Sequence, residues 1–592
     1  MNRPIRRTLA ALALLAAAVP ATAQVTEVYH PPAEAVATAH PLATEAGLEV
    51  LAAGGNAFDA AVAVTAALGV VEPYGSGLGG GGFFLLHREG DKLDLLVDAR
   101  ETAPGAATGD MYLDRNGEPI ARLSREGPLA AGIPGTAAAL QHLSETFGER
   151  ALADNLAPAI RLADEGFPVN AELSARITAM AHRFSPAAQA VFMPGGEVPA
   201  SGETLVQKDL AGTLRAMAED GAEAFYEGAV AEKLQRGVFS DGGIWSLGDL
   251  ALYRVKERAP ARIDYRGYRI TTAPLPSAGG VTLEQIFKIL EARDWPPSDD
   301  TAARHELIEA MRFAYRDRAV YLGDADFVDV PVARITSDDY IADIAGRIGT
   351  RATPSESMEV ASMQEARAKG RQTTHFSILD RWGNRVSATL SINTWFGSGY
   401  MPPGTGVLLN NEMDDFATAP LVPNAYGLVH TEANSIAPHK RPLSSMSPTF
   451  VDGPRGVFIT GTPGGSRIIT MVLLSTLAHM NGLPAELAVT APRFHHQFLP
   501  DVVQFESGAL TEPQREKLRE RGHKLEEVTR DFGNMQAIHW DLRRGFVDAA
   551  SDPRGFGRAV VREVPVEAGA GAVGFVELGG ASSDAARLAS LL

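Results

Sequence analysis

The stretch GRQTTHFSILDRWGNRVSATLSINTWFGSG, Gly370–Gly399, changes character at Thr373. Upstream, PSESMEVASMQEARAKG (Pro354–Gly370) is polar and has no sustained period, so it reads as an accessible connector. Downstream, THFSILD and NRVSATLSIN alternate apolar with polar residues, and Arg381-Trp382-Gly383-Asn384 between them supplies a turn. That pattern predicts a β-hairpin. Threonine favours strands, so a Thr373-Thr374 pair at a strand head has an ordinary structural reading. It also has a chemical one. A cut before Thr373 would leave an α-amine, whose ordinary pKa lies near neutrality, beside a hydroxyl that needs a base.

Working outward, LATEAGLEVLAAGGNAFDAAVAVTAALGVV (Leu42–Val71) predicts two packed helices broken at Gly54-Gly55, with Asn56 capping the second. The second, Ala57 to Val70, is apolar nearly all round, so it is expected to be buried in a multilayer core. Gly75, Gly77 and Gly80 match G-x-G-x-x-G. The dinucleotide fingerprint follows a strand and opens a helix, whereas this run follows a helix and opens a strand, Phe83–His87, which pairs with Leu93–Asp98. These glycines are therefore expected to let the chain pass close to a core or a ligand.

The region from about 130 to 345 is mostly helical by pattern. GGVTLEQIFKILEA and RHELIEAMRFAYRDRAVYLG are the clearest helices, and Leu250–Tyr253 and Arg262–Ile270 look strand-like. Strand pattern returns at Gly456–Thr460 and Gln536–Asp548, with a long helix over Ile468–Met480 between them. From Val561 the chain is rich in Gly and Ala and is expected to be a loose tail, 561–592. Strands flanked by helices on both faces fit this order; a strand–helix doubly wound alternation does not.

The chain has 592 residues and a formal charge of -18, an acidic balance that argues against a nucleic-acid partner. It has no cysteine, which excludes disulfides, thiolate nucleophiles and thiolate metal sites. Residues 1–23 read as a secretory signal: Arg3, Arg6 and Arg7, an apolar run from Leu9 to Val19, and Ala21-Thr22-Ala23 before Gln24. The expected product is periplasmic or secreted, with no membrane insertion after signal removal.

Three further segments carry polar groups in chemically suggestive order. RPLSSMSPT (Arg441–Thr449) sets adjacent hydroxyls between prolines. GTPGGSRIIT (Gly461–Thr470) places two glycines before a helix, where backbone N–H groups point at an oxyanion or carboxylate. LLNNEMDDF (Leu408–Phe416) concentrates carboxylates and amides. Together with GGNAFDAAVAV, DARETAP and TTHFSILDRWGNRVSATLSIN they resemble, in order and over about residues 35 to 555, the γ-glutamyltransferase family of N-terminal nucleophile hydrolases.

The resemblance implies an α+β fold, a four-layer αββα sandwich, and a precursor that cuts itself between Gln372 and Thr373. The products would be a large subunit, 24–372, and a small catalytic subunit, 373–592, held as a heterodimer. It implies that Thr373 is the nucleophile and that Ser391, where the family commonly has threonine, contacts its amine. Gly464 and Gly465 would hold the oxyanion. Arg100, Ser444 and Ser445 would bind the donor α-carboxylate, and Asn393, Glu412 and Asp415 its α-ammonium. Tyr426 would sit on a lid loop. Glutathione and other γ-glutamyl compounds are the implied donors, water, amino acids or dipeptides the acceptors; no cofactor and no metal are implied. Ordinary readings stand beside these: Arg100 in a surface ion pair, Asn393 in a turn, Ser444 as structural. Two other functions fit the same exported class. One is a cephalosporin or glutaryl acylase of the same family, the other a non-catalytic binding protein for amino acids or peptides.

Overall fold

The computed structural model describes residues 30–296, 299–358, 373–419, 421–529 and 532–564. Two antiparallel sheets form its centre. The first has seven strands in the order Arg558–Glu563, Ala33–Thr38, Thr374–Leu379, Arg385–Ser391, Gly81–Arg88, Leu93–Asp98, Lys256–Arg258. The second has six: Phe546–Ser551, Gln536–Asp541, Gly456–Gly461, Thr449–Gly453, Tyr268–Thr272, Ala261–Tyr265.

Alternation along the strands assigns the layers. In Gly81–Arg88, Phe84 and Leu86 point to one face and pack with Phe376, Ile378 and the apolar helix Ala57–Val71. Phe83 and Leu85 point to the other face, towards Ile270, Phe450, Phe458 and Ile538 of the second sheet. The outer face of the second sheet is covered by the helices Gly279–Ala292, Asp300–Tyr321 and Ile468–Met480. The result is helix, sheet, sheet, helix: the expected αββα sandwich.

The predicted hairpin is present with Thr374 paired to Leu390 and Leu379 to Arg385. Asp380 holds it in place. Its carboxylate accepts from the backbone N–H of Trp382 and Asn384, both at 2.9 Å, and of Ala57 at 2.9 Å, at the start of the buried helix. Asn56 caps that helix by accepting from Phe58 and Asp59 backbone N–H, with Asp59 returning to Asn56 N, a reciprocal capping box. Between the sheets the contact is partly polar: Ser387 Oγ donates to Thr460 O at 3.0 Å and Ser377 Oγ to Gln536 O at 3.2 Å. A Cβ on Gly461 would lie 2.3 Å from the His375 ring, so glycine there allows the sheets to close.

Three expectations need correction. Leu250–Tyr253 lies mostly within a helix, Leu247–Leu252, because Ser246 and Asp249 make a capping box that outweighs the local strand preference. Arg262–Ile270 is not one strand but a hairpin, Ala261–Tyr265 with Tyr268–Thr272, since Arg266 and Gly267 take positive φ. The tail begins later than expected. Val561 to Glu563 belong to the edge strand paired with Ala33–Thr38, where Arg562 also binds the buried Glu34 carboxylate. The rest of that tail, residues 565–592, and residues 1–29 lie outside the described residues, as does Gln372 with 359–371 of the connector.

Candidate active site

Thr373 heads the strand Thr374–Leu379 and is 7% exposed. It opens into a pocket enclosing about 310 Å³, open mouth included, whose walls include Ser391, Asn393, Asp415, Tyr426, Ser445 and Gly465. Arg100 and Ser444 line the same pocket. Segments separated by hundreds of residues in sequence therefore meet at the two sheets' shared end.

The glycine-rich run passes close to Thr373 and Ser391. A Cβ on Gly80 would lie 2.2 Å from Ser391 O, and one on Gly75 would lie 3.5 Å from Thr373 O. The expected close approach is thus to the hairpin strands Thr374–Leu379 and Arg385–Ser391. Ser391, the last residue of the hairpin, accepts on Oγ from Asn393 N at 2.7 Å. Asn393 takes φ +70°, which asparagine tolerates. Its Nδ2 donates to Asn411 O at 2.8 Å, while its buried Oδ1 has no partner among the described residues.

Gly464 and Gly465 follow the strand Gly456–Gly461 and lead through the turn Gly465–Arg467 into the helix Ile468–Met480. Their φ values are +144° and +59°, conformations that side chains disfavour. The Gly465 Cα is tight against Tyr426: a Cβ there would lie 2.2 Å from Tyr426 Cδ1. Tyr426 is 4% exposed and donates its hydroxyl proton to Asn393 O at 2.6 Å. The Tyr426 loop is held further by Ala425 N donating to Asp414 at 2.8 Å and Asn424 Nδ2 to Asp415 at 3.2 Å.

Arg100 is buried and is not a surface ion pair. Its Nη1 meets Glu412 at 2.7 Å and Glu101 at 3.4 Å, and its Nη2 meets Asp415 at 2.6 Å. Nε donates to Pro442 O at 3.2 Å. One guanidinium thus holds three carboxylates. Burial, their mutual repulsion and incomplete compensation raise all three: Asp415 to about 8, Glu412 to about 7 and Glu101 to about 7. Burial opposes the Arg100 charge, yet the carboxylates lift it above the ordinary arginine value. The short turn Glu412–Asp415 makes this possible by sending Glu412 and Asp415 inward and Asp414 to Arg125 at 3.0 Å.

Next to Arg100, whose Nε reaches Pro442 O, Ser444 N donates to Pro276 O at 2.8 Å, and Ser444 Oγ accepts from Met446 N at 3.1 Å. Ser445 Oγ accepts from Arg318 Nη2 at 3.0 Å. Sequence reasoning missed Glu101 and Arg318. Glu101 adjoins Arg100 in DARETAP and was legible there; Arg318 lies inside a long helix with nothing local to mark it.

Among the described residues one group has metal-compatible spacing, His305, Glu309 and His523, all buried. His305 Nδ1 and His523 Nε2 are hydrogen-bonded at 2.8 Å, and Glu309 accepts from Arg312 Nε and Thr353 N. The cluster lines no part of the pocket and joins the helix Asp300–Tyr321 to the C-terminal half of the chain.

An αββα sandwich with a buried threonine at the head of a central strand, opening into a pocket that Gly465 also lines, defines the class of N-terminal nucleophile hydrolases. The family model described as Gamma-glutamyltranspeptidase matches residues 43–561. The chain belongs to that γ-glutamyltranspeptidase family and is an enzyme of its kind. It is 44% identical over 503 residues to a glutathione hydrolase proenzyme of Pseudomonas sp. (strain A14), covering 83% of this chain and 86% of that one. It is 42% identical over 528 residues to the Escherichia coli (strain K12) glutathione hydrolase proenzyme, covering 88% and 90%. Among solved structures, the cephalosporin acylase from Bacillus halodurans superposes with a TM-score of 0.78 at 28% identity, covering 93% of this chain and 99% of that chain.

Proposed function

We propose that the chain is an exported precursor that cuts itself between Gln372 and Thr373 and then transfers γ-glutamyl groups from glutathione and related amides. The observation that carries this reading is the pocket itself, where Thr373, Gly465, Ser445 and the Arg100–Asp415 pair share one wall-to-wall space.

In the first step Thr373 Oγ attacks the γ-carbonyl carbon and its proton passes to the Thr373 α-amine. The N–H groups of Gly464 and Gly465 hold the resulting oxyanion. The tetrahedral adduct collapses, the protonated amine returns its proton to the leaving nitrogen, and the cysteinylglycine part of glutathione departs. In the second step water, an amino acid or a dipeptide attacks the Thr373 ester by the reverse sequence. The tied-down Tyr426 lid favours small donors and limits water.

The donor's charged end fits the pocket by exchange. Within the pocket Arg100 is the counter-ion of Asp415 and Glu412. A bound donor would present its ammonium to those carboxylates and its carboxylate to the basic wall and Ser444–Ser445, so each buried charge would keep a partner. Because Arg100 pairs with Asp415 and Glu412, these acids would keep a counter-ion even against a glutaryl chain that lacks an ammonium. What favours an ammonium is the excess of three carboxylates over one guanidinium.

Two measurements test the reading. Mass determination under denaturing conditions should give one chain ending at Gln372 and one beginning at Thr373, and the Thr373→Ala variant should stay uncut. Rates on γ-glutamyl and glutaryl p-nitroanilides should then favour the γ-glutamyl donor. A stable uncut wild-type chain that binds amino acids would instead support the binding-protein reading, and faster glutaryl turnover the acylase.

A further inference from the structure

Gln497 bonds two separate segments of the pocket wall, the turn Gly465–Arg467 and the Tyr426 loop. It follows the short strand Phe494–His495 and is buried. Its Oε1 accepts from Ser466 Oγ at 2.6 Å and from His495 Nε2 at 2.9 Å. Its Nε2 donates to Leu499 O at 3.0 Å and to Tyr426 O at 3.3 Å. Every hydrogen-bonding position of the amide is therefore used. The two carbonyls admit only donors, so the amide cannot turn over and Oε1 must face Ser466. His495 is kept neutral by burial and by the nearby Arg467 charge. With its Nε2 proton given to Gln497, its Nδ1 meets the Thr470 hydroxyl at 2.8 Å.

Ser466 adjoins Gly465 in the turn assigned above to the oxyanion. Tyr315, on the helix Asp300–Tyr321, holds the same residue by donating to Ser466 O. The Tyr426 ring in turn covers Gly465, leaving no room there for a Cβ. Neither the turn nor the loop can shift relative to Gln497 without breaking a buried hydrogen bond. A buried polar group left unpaired costs more than the bond itself contributed. We propose that Gln497 is a positioning residue that fixes the oxyanion turn and the Tyr426 loop at one spacing, so that forming the acyl-enzyme and keeping water from it depend on the same side chain. This rests on the γ-glutamyl reading above and extends it to a residue outside the pocket lining.

The test separates the two contacts. Ser466→Ala removes the bond to the turn and leaves the loop held. Gln497→Glu keeps an acceptor for Ser466 and His495 but sets a second oxygen against Tyr426 O and Leu499 O. Gln497→Met removes every bond. On γ-glutamyl p-nitroanilide with glycylglycine as acceptor, Ser466→Ala should lower kcat about 2–10-fold and leave KM nearly unchanged. Gln497→Glu should instead raise the ratio of hydrolysis to transfer about 2–10-fold, and Gln497→Met should do both. Protonating the new carboxyl restores one donor. The Gln497→Glu ratio, divided by that of wild type at the same pH, should therefore return towards one between about pH 9 and about pH 6. A merely structural lesion gives no such recovery. Amide exchange read by mass spectrometry follows the same contacts without turnover, whether or not the chain has cut itself. Gln497→Met should speed exchange in both 421–431 and 464–468, Ser466→Ala only in 464–468, and neither in the helix Ala57–Val71. If wild type turns over no γ-glutamyl donor but exchange follows this pattern, the transferase reading falls and the Gln497 assignment stands. If exchange in either segment stays at the wild-type rate in Gln497→Met, the assignment falls. It falls equally if an active Gln497→Met keeps the wild-type kcat or the wild-type ratio of hydrolysis to transfer. Should Gln497→Met fail to fold, Gln497→Glu and Ser466→Ala carry the same comparison.

Discussion

Gly465→Ala separates the steric and electronic roles of the glycine pair. At φ +59° an alanine is disfavoured by about 1–2 kcal/mol. Its Cβ would also stand 2.2 Å from Tyr426 Cδ1 and 2.3 Å from Cε1. The ring cannot simply swing away, because its hydroxyl is bonded to Asn393 O at 2.6 Å and the side chain is buried. Overpacking of this kind adds about 1–3 kcal/mol, for a total loss of about 2–5 kcal/mol in stability. Any shift of the Gly465 N–H away from the developing oxyanion should lower kcat by about 10²–10³-fold. Thermal unfolding and initial rates on γ-glutamyl p-nitroanilide read the two effects. The double variant Gly465→Ala/Tyr426→Ala removes the collision but not the φ cost, so the two changes should be non-additive in stability by about 1–3 kcal/mol. Additive losses would refute the collision, and an undiminished kcat in the single variant would refute the oxyanion role.

Further outcomes follow from the charged wall and the Tyr426 loop. Asp415, raised to about 8, and Glu412 and Glu101, raised to about 7, titrate as one coupled set, and the donor ammonium needs their ionised forms. Donor KM should therefore fall as pH rises from 6 to 8.5, and binding should release protons, measurable by calorimetry in buffers of different ionisation enthalpy. Because these folded-state pKa values are raised, the set's contribution to stability is fully present below the ordinary carboxylate range. It is lost as pH rises through about 8. Asp415→Asn should raise donor KM about 10–100-fold, as expected for loss of a charge-assisted contact, with a smaller change in kcat. Tyr426→Phe removes the bond to Asn393 O, worth about 0.5–1.5 kcal/mol, and should raise the share of hydrolysis over transfer in product analysis.

Much of the fold was legible because its signals are local. The hairpin announced itself through period-two alternation and the Trp382-Gly383-Asn384 turn, and the Ala57–Val71 helix through its uniform apolar surface and the Asn56 cap. The misreadings were local as well. A capping box turned a strand-like Leu250–Tyr253 mostly into helix, and two positive-φ residues folded Arg262–Ile270 back on itself. In each case one side-chain hydrogen bond or one backbone conformation outweighed an averaged propensity.

The sequence by itself determined the chemistry available: a threonine behind a polar connector, paired glycines before a helix, paired serines, and an acidic turn, each a short segment whose residue types carry their own reactivity. Only the tertiary structure decided which charges face which. Arg100 met its neighbour Glu101 and two carboxylates of one distant turn, Glu412 and Asp415, and Arg318 reached Ser445 from the middle of a helix. Coulomb partners are set by separations of a few ångströms between chain segments far apart in sequence. Neither periodicity nor motif spacing encodes those separations, so the carboxylates' raised pKa values and the buried Arg318 contact become visible only when the sheets have closed.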